Sequence, residues 1–297
     1  MSLLIWPSKY LPTICLILSI LFLSGFSAAE NSNNNHKQSP TNNKNTAILY
    51  LAVAANFKTT LQQLVNQFLL EHPYLEKKQL AIISGSTGAL YAQITQGAPF
   101  DIFFAADTAR PRQLIKNNFA TNDTFHIYAQ GQLAIAFQDK QENNICKKNI
   151  QSTTAIKHLL NQLPDSTQPT LAIANPATAP YGKSAKALIS RLDETFIQYR
   201  IVRGKNILHA QQLLLNNNAD LAILSSAQAK HPAMANYQFC ILDQSLYPAI
   251  KQSMVIIKQT KRNIENKRLV TAFTDFITSQ SAQSIIIANG YLMNEYG

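Results

Sequence analysis

The sequence predicts an α/β fold with largely parallel sheets. Two observations carry this: short apolar runs recur along the chain, and stretches with helical spacing separate most of them. The first run, AILYLAVAA (47–55), is continuously apolar, as expected of a strand covered on both faces. Asn56 then opens a stretch that sets Phe57, Leu61, Leu64 and Phe68 on one helical face. LAIIS (80–84) is the second strand, GSTGALYAQITQG turns into a second helix, and FDIFFAA (100–106) is the third strand. QLAIAF (132–137), TLAIA (170–174), FIQYRIV (196–202), DLAILS (220–225) and SMVIIK (253–258) continue the series. QLAIAF and SMVIIK bracket a central block, which places hinge strands near them if the chain leaves one lobe, builds a second and returns. No internal repeat is visible.

A chain of 297 residues makes one large domain or two ordinary ones, and 46% hydrophobic content supplies a sizeable core. The net charge of +10 points to an anionic partner, whether nucleic acid, membrane surface or solute. Nucleic acid calls for a basic stripe with stacking aromatics. Here Lys and Arg are scattered, and the densest cluster (Lys258, Lys261, Arg262, Lys267, Arg268) reads as the solvated face of one helix.

Residues 1–29 have the three parts of a cleavable secretory signal: Lys9 at the start, the apolar run LPTICLILSILFLSGF, and the small residues Ser27, Ala28 and Ala29. The run is shorter than the ~20 residues of a membrane-spanning helix. These features predict export to the periplasm. Residues 30–46, ENSNNNHKQSPTNNKNT, hold seven Asn and no apolar side chain and are expected to be a disordered spacer. The mature chain keeps Cys146 and Cys240. An oxidising compartment permits a disulfide, and the sequence leaves both a bridge and two buried thiols open.

Ligands of open parallel sheets bind outside the carboxyl ends of the strands, so the turns after the strands are where chemistry is expected. They read Ala54-Ala55-Asn56-Phe57, Gly85-Ser86-Thr87-Gly88, Asn175-Pro176 with Ala179-Pro180-Tyr181-Gly182-Lys183, and Gly204-Lys205-Asn206-Ile207. Asn56 is read as an N-cap. Helix starts of this kind present free N–H groups and a partial positive charge to an anion. None of the four turns contains Asp or Glu. Hydrogen phosphate needs an acceptor for its proton, whereas a fully deprotonated oxyanion needs donors alone. No HExxH, CxxC pair, Walker loop, GxGxxG or GxSxG is present, and the histidines share no spacing with an acid. Neither an enzyme nor a resident metal site is expected, and no catalytic residue is assigned.

In their order these turns resemble the periplasmic molybdate-binding protein family, the solute receptors of molybdate ABC importers. The matching segments are AVAANF (52–57), GSTGALYAQITQGAPFDIFFAAD (85–107), ANPATAPYGKSA (174–185), GKNI (204–207), NADLAIL (218–224) and ANGY (288–291). The resemblance implies a two-lobed periplasmic-binding-protein type II fold, each lobe a mostly parallel sheet flanked by helices, with the ligand cleft between them. Lobe 1 is then 47–130 plus 250–297, and lobe 2 is 131–249. It implies molybdate or tungstate as ligand without a cofactor, a monomer delivering to the membrane permease of an ABC importer, and no nucleic acid. The ligand-binding residues carried over are Ala55 and Asn56 in the first loop, Ser86 and Thr87 in the second, Tyr181 in the third and Ile207 in the fourth. Many relatives place a Tyr after the strand equivalent to DLAIL, where this chain has Ser225. A branch of the family carries Tyr in the PYG position with Asn in the first loop. This chain looks like that branch, so the Tyr181 hydroxyl is expected to replace the missing contact. Another small oxyanion such as sulfate is the alternative ligand.

Overall fold

The computed structural model describes residues 47–138, 146, 149–161, 168–192, 198–259 and 262–293. The signal and spacer expected over 1–46, and the start of the FIQYRIV run, lie outside the described residues.

Among the described residues, ten strands form two five-stranded sheets. The first contains β1 (Leu49–Ala54), β2 (Leu80–Gly85), β3 (Ile102–Ala105), β4 (His126–Gly131) and β10 (Ile250–Ile256), in the order β2-β1-β3-β10-β4. The second contains β5 (Leu133–Gln138), β6 (Thr170–Ala174), β7 (Arg200–Gly204), β8 (Leu221–Ser225) and β9 (Tyr237–Ile241), in the order β7-β6-β8-β5-β9. Pairings within β2-β1-β3 and within β7-β6-β8 are parallel. β10 runs antiparallel to β3 and β4, and β5 runs antiparallel to β8 and β9. Each sheet is therefore mixed, with four strands in one direction and one reversed. The reversed strands lie in the QLAIAF and SMVIIK runs. The chain changes sheets between Gly131 and Leu133 and again between β9 and β10. Tyr247 ties these two crossings together, accepting from the Leu133 N–H at 2.9 Å and donating to the Leu242 carbonyl at 3.3 Å.

The helices are α1 (Lys58–Glu71), α2 (Thr87–Thr95), α3 (Ala109–Lys116), α4 (Thr153–Asn161), α5 (Pro180–Ser190), α6 (Ile207–Leu215), α7 (Ile264–Thr278) and α8 (Gln280–Ala288). Alternation along β1 explains its apolar run. Leu49, Leu51 and Val53 pack with Leu61, Leu64 and Phe68 of α1 and Phe273 of α7, while Ala52 packs on the other face with Leu90 of α2 and Leu114 of α3. The core of the second sheet extends to Ala54, Ala55 and Ala106 of the first, so the two lobes meet in apolar contact.

Two features differ from the sequence reading, and a third decides a point that it left open. β4 and β9, one edge strand of each sheet, were not among the expected strands. The basic cluster is not one helical face: Lys258 and Arg262 both precede α7, and Arg262 forms a buried ion pair with Asp101 at 2.9 Å. The cysteines are joined, with Cys146 bridged to Cys240 on β9 across a Cα separation of 4.7 Å. Among the described residues no helix is long and apolar enough to cross a membrane.

Candidate functional site

Four chain segments meet at one cavity between the sheets, each at the carboxyl end of a strand. β1 runs into a 3-10 turn, Ala55–Phe57, and β2 into the start of α2. From the other sheet, β6 leads through residues 175–179 to α5, and β7 runs into α6. The cavity is lined by Ala54, Ala55 and Asn56, by Ser86 and Thr87, by Ala106, by Ala179, Pro180 and Tyr181, and by Asn206 and Ile207. It is small, with little free space left between the two lobes. No lining residue carries a formal charge.

The hydroxyls of the second loop are set up as donors. Ser86 is the N-cap of α2, and its oxygen accepts from the Ala89 N–H at 3.3 Å. Thr87 Oγ1 accepts from the Ala106 N–H at 3.1 Å. Each oxygen thus has a lone pair engaged by a backbone donor, and each keeps its proton to give away. Both residues are buried. In the fourth loop the Asn206 side chain caps α6 by accepting from the His209 N–H at 3.0 Å, which leaves Ile207 as the first residue of that helix. Tyr181 follows Pro180 in the first turn of α5. First-turn N–H groups have no partner inside their helix. The Tyr181 and Ile207 amides are therefore placed to donate, with the positive end of each helix dipole behind them.

The first loop departs from expectation, and the third has partners that the sequence did not show. Asn56 is not a cap: the 3-10 turn begins after Ala54 and has no side-chain cap. The Asn56 side chain instead donates from Nδ2 to Gln252 Oε1 at 2.8 Å and to the Tyr291 hydroxyl at 3.2 Å. Both amide protons are thereby engaged, so a ligand can draw only on backbone N–H groups of this turn. The Tyr181 hydroxyl has partners of its own, accepting from Ser225 Oγ and from Gln252 Nε2, each at 3.2 Å. Ser225 thus bonds to the Tyr181 phenol. Burial raises the pKa of Tyr181 well above the ordinary phenol value, so it stays protonated. Gln252 is fully buried and belongs to no turn, and the sequence reading missed it. Its one local signal is a polar residue inside the apolar strand β10, beside a register irregularity at Gln252/Ser253.

The lobes are closed on each other. The Gly88 N–H of α2 donates to the Thr178 carbonyl of the opposite lobe at 2.8 Å. A Cβ on Gly88 would lie 3.0 Å from that carbonyl oxygen, so a side chain here would wedge the lobes apart. Arg110, paired with Asp107, donates from Nη2 to the Ala177 carbonyl at 3.3 Å. A wider groove flanked by Arg110 and Lys183 shares Ala106, Ala179 and Pro180 with the cavity. Among the described residues no group of three or more His, Cys, Asp or Glu side chains could hold a metal ion.

A small cleft of neutral donors between two closed lobes is the arrangement of a solute-binding protein. The chain belongs to the bacterial extracellular solute-binding proteins, whose family model matches residues 49–292, and among them to the molybdate-binding proteins. It is 31% identical over 252 residues to the molybdate-binding protein of Azotobacter vinelandii, covering 82% of this chain and 90% of that one. It is 28% identical over 243 residues to the molybdate-binding protein of Rhodobacter capsulatus, covering 81% and 86%. Among solved structures, the Azotobacter vinelandii periplasmic molybdate-binding protein superposes with a TM-score of 0.68 at 29% identity, over 83% of this chain and all of that one. The sulfate-binding protein SubI of Mycobacterium tuberculosis shares the fold at 14% identity and a TM-score of 0.61, over 84% and 88%.

Proposed function

We propose that the chain binds molybdate, and also tungstate, in the periplasm and delivers it as a monomer to the permease of an ABC importer. The observation that carries this reading is the convergence of four donor turns, free of carboxylates, on one small cavity. In the proposed site, lobe 1 (47–130 with 250–297) supplies the backbone N–H groups of Ala55 and Asn56 and the hydroxyls of Ser86 and Thr87. Lobe 2 (131–249) supplies the N–H groups of Tyr181 and Ile207. The relatives named for molybdate support this choice of ligand.

Charge is handled by dipoles. A dianion held by neutral donors at several helix starts is stabilised in a dry site without the repulsion that Asp or Glu would add. The same donors reject hydrogen phosphate, whose proton finds no acceptor. Sulfate is smaller, so a cavity fixed by helix ends leaves its hydrogen bonds stretched. Because the two lobes each hold part of the donor set, the bound anion stabilises the closed form that the permease then recognises.

The test is thermal unfolding with molybdate, tungstate, sulfate and phosphate at equal concentration. A ligand that binds only the folded state raises the melting temperature by mass action, by the equivalent of about 2.7 kcal/mol at a hundredfold excess over Kd. Molybdate and tungstate are expected to give the two largest shifts, and phosphate none. A sulfate shift as large as that of molybdate overturns the ligand assignment.

A further inference from the structure

We infer that Gln252 is a positioning residue that joins the anion-binding turns of the two lobes, so that lobe closure and assembly of the donor set are a single event. This role rests on the oxyanion reading given above. Gln252 lies on β10, in the first sheet, and is fully buried. Its Oε1 accepts from Asn56 Nδ2 at 2.8 Å and from the Tyr128 hydroxyl at 3.3 Å, both within its own lobe. Its Nε2 donates to the Tyr181 hydroxyl of the other lobe at 3.2 Å. One amide thus holds the first turn by its side chain and the third turn by its phenol. On the second lobe Ser225 Oγ directs its proton at the same phenolic oxygen.

The crossing between the lobes is shaped to receive this phenol. A Cβ on Gly131, where β4 leaves for β5, would sit 2.0 Å from the Tyr181 hydroxyl and 3.0 Å from Gln252 Nε2. Only glycine leaves room there for the Tyr181–Gln252 bond. When the lobes part, Gln252 stays with the first sheet and Tyr181 with the second, so this bond belongs to the closed form alone. Breaking it leaves a buried amide donor without a partner, a cost that falls on closure and not on the separate lobes.

The experiment measures molybdate binding by calorimetry, and its association and dissociation rates by stopped flow, for the wild type, Gln252→Leu, Tyr181→Phe and the double variant. Tyr181→Phe keeps the backbone N–H and the ring and removes only the hydroxyl, so it is the informative variant should Gln252→Leu fold poorly. Each single variant is expected to release the anion about tenfold faster with an unchanged association rate, because the one bond that both substitutions remove belongs to the closed state. The double variant is expected to match the weaker single one, since both remove the same contact. Additive effects of the two substitutions, or equal dissociation rates in Tyr181→Phe and the wild type, overturn the role of Gln252. If the wild type binds none of molybdate, tungstate and sulfate, the oxyanion reading fails first and this role with it.

Discussion

Thr87 shows how one side chain can be oriented by its backbone neighbour. The Ala106 N–H occupies a lone pair of its hydroxyl, which turns the proton away from that strand end. Thr87→Val keeps the shape and removes both functions, leaving the buried Ala106 N–H without an acceptor. Molybdate affinity is expected to fall by roughly 1–3 kcal/mol, about five- to 150-fold, and titration calorimetry on the variant reads this directly. An affinity within twofold of the wild type would remove Thr87 from the site. The residue type and its place after a strand were readable from the sequence. The directions taken by Asn56 and Tyr181 were not: their shared partner Gln252 lies 196 and 71 residues away. Propensity and capping chemistry act over a turn or so and carry no information about such a partner.

At the level of elements, the sheets depend on pairings that local pattern shows unevenly. Strands in the middle of a sheet, such as β1 and β6, are apolar on both faces and stand out as runs. The strands β4 (HIYAQG) and β9 (YQFCI) mix polar and apolar residues and so do not stand out as runs, whereas β2 (LAIISG), an edge strand too, is apolar enough to be read. The segment after β10 shows the same limit. The Arg262 guanidinium donates to Asp101 Oδ1 from Nε at 3.1 Å and from Nη2 at 2.9 Å, while Asp101 Oδ2 accepts from the Tyr50 N–H at 2.8 Å. This fastens the strand ends of β1 and β3 to the lead into α7. Arg262→Met strands a buried carboxylate and is expected to cost about 3–5 kcal/mol of unfolding free energy, measured by urea titration. Anion affinity should be unchanged, because the pair lies outside the binding turns.

For the whole molecule, four of the buried phenols make stability depend on alkaline pH most strongly. Burial raises the pKa of Tyr128, Tyr181 and Tyr291 well above the ordinary phenol value, and pushes Tyr247 up to about 12. A group whose pKa is higher folded than unfolded stabilises the fold fully below its unfolded value and less as pH rises through the folded one. Unfolding free energy from urea titrations is therefore expected to be flat with respect to these groups up to about pH 10 and to fall steadily above it. Ultraviolet titration should show the four phenols ionising only as the fold is lost. Early ionisation of all four in the native protein would contradict the closed packing at the crossing between the lobes.

The alternation of apolar runs with helical stretches determined the α/β class by itself, because hydrophobic period follows local backbone geometry. The donor-rich, carboxylate-free turns were equally plain, since turn and cap residues are chosen by the backbone beside them. Only the tertiary structure decided that these turns face one cavity, that Asn56 and Tyr181 both reach Gln252, that Arg262 finds Asp101, and that Cys146 meets Cys240. Each of those facts joins residues far apart in the chain. Long-range pairing is set by strand order and by the two crossings between the sheets, which no local spacing of residues encodes.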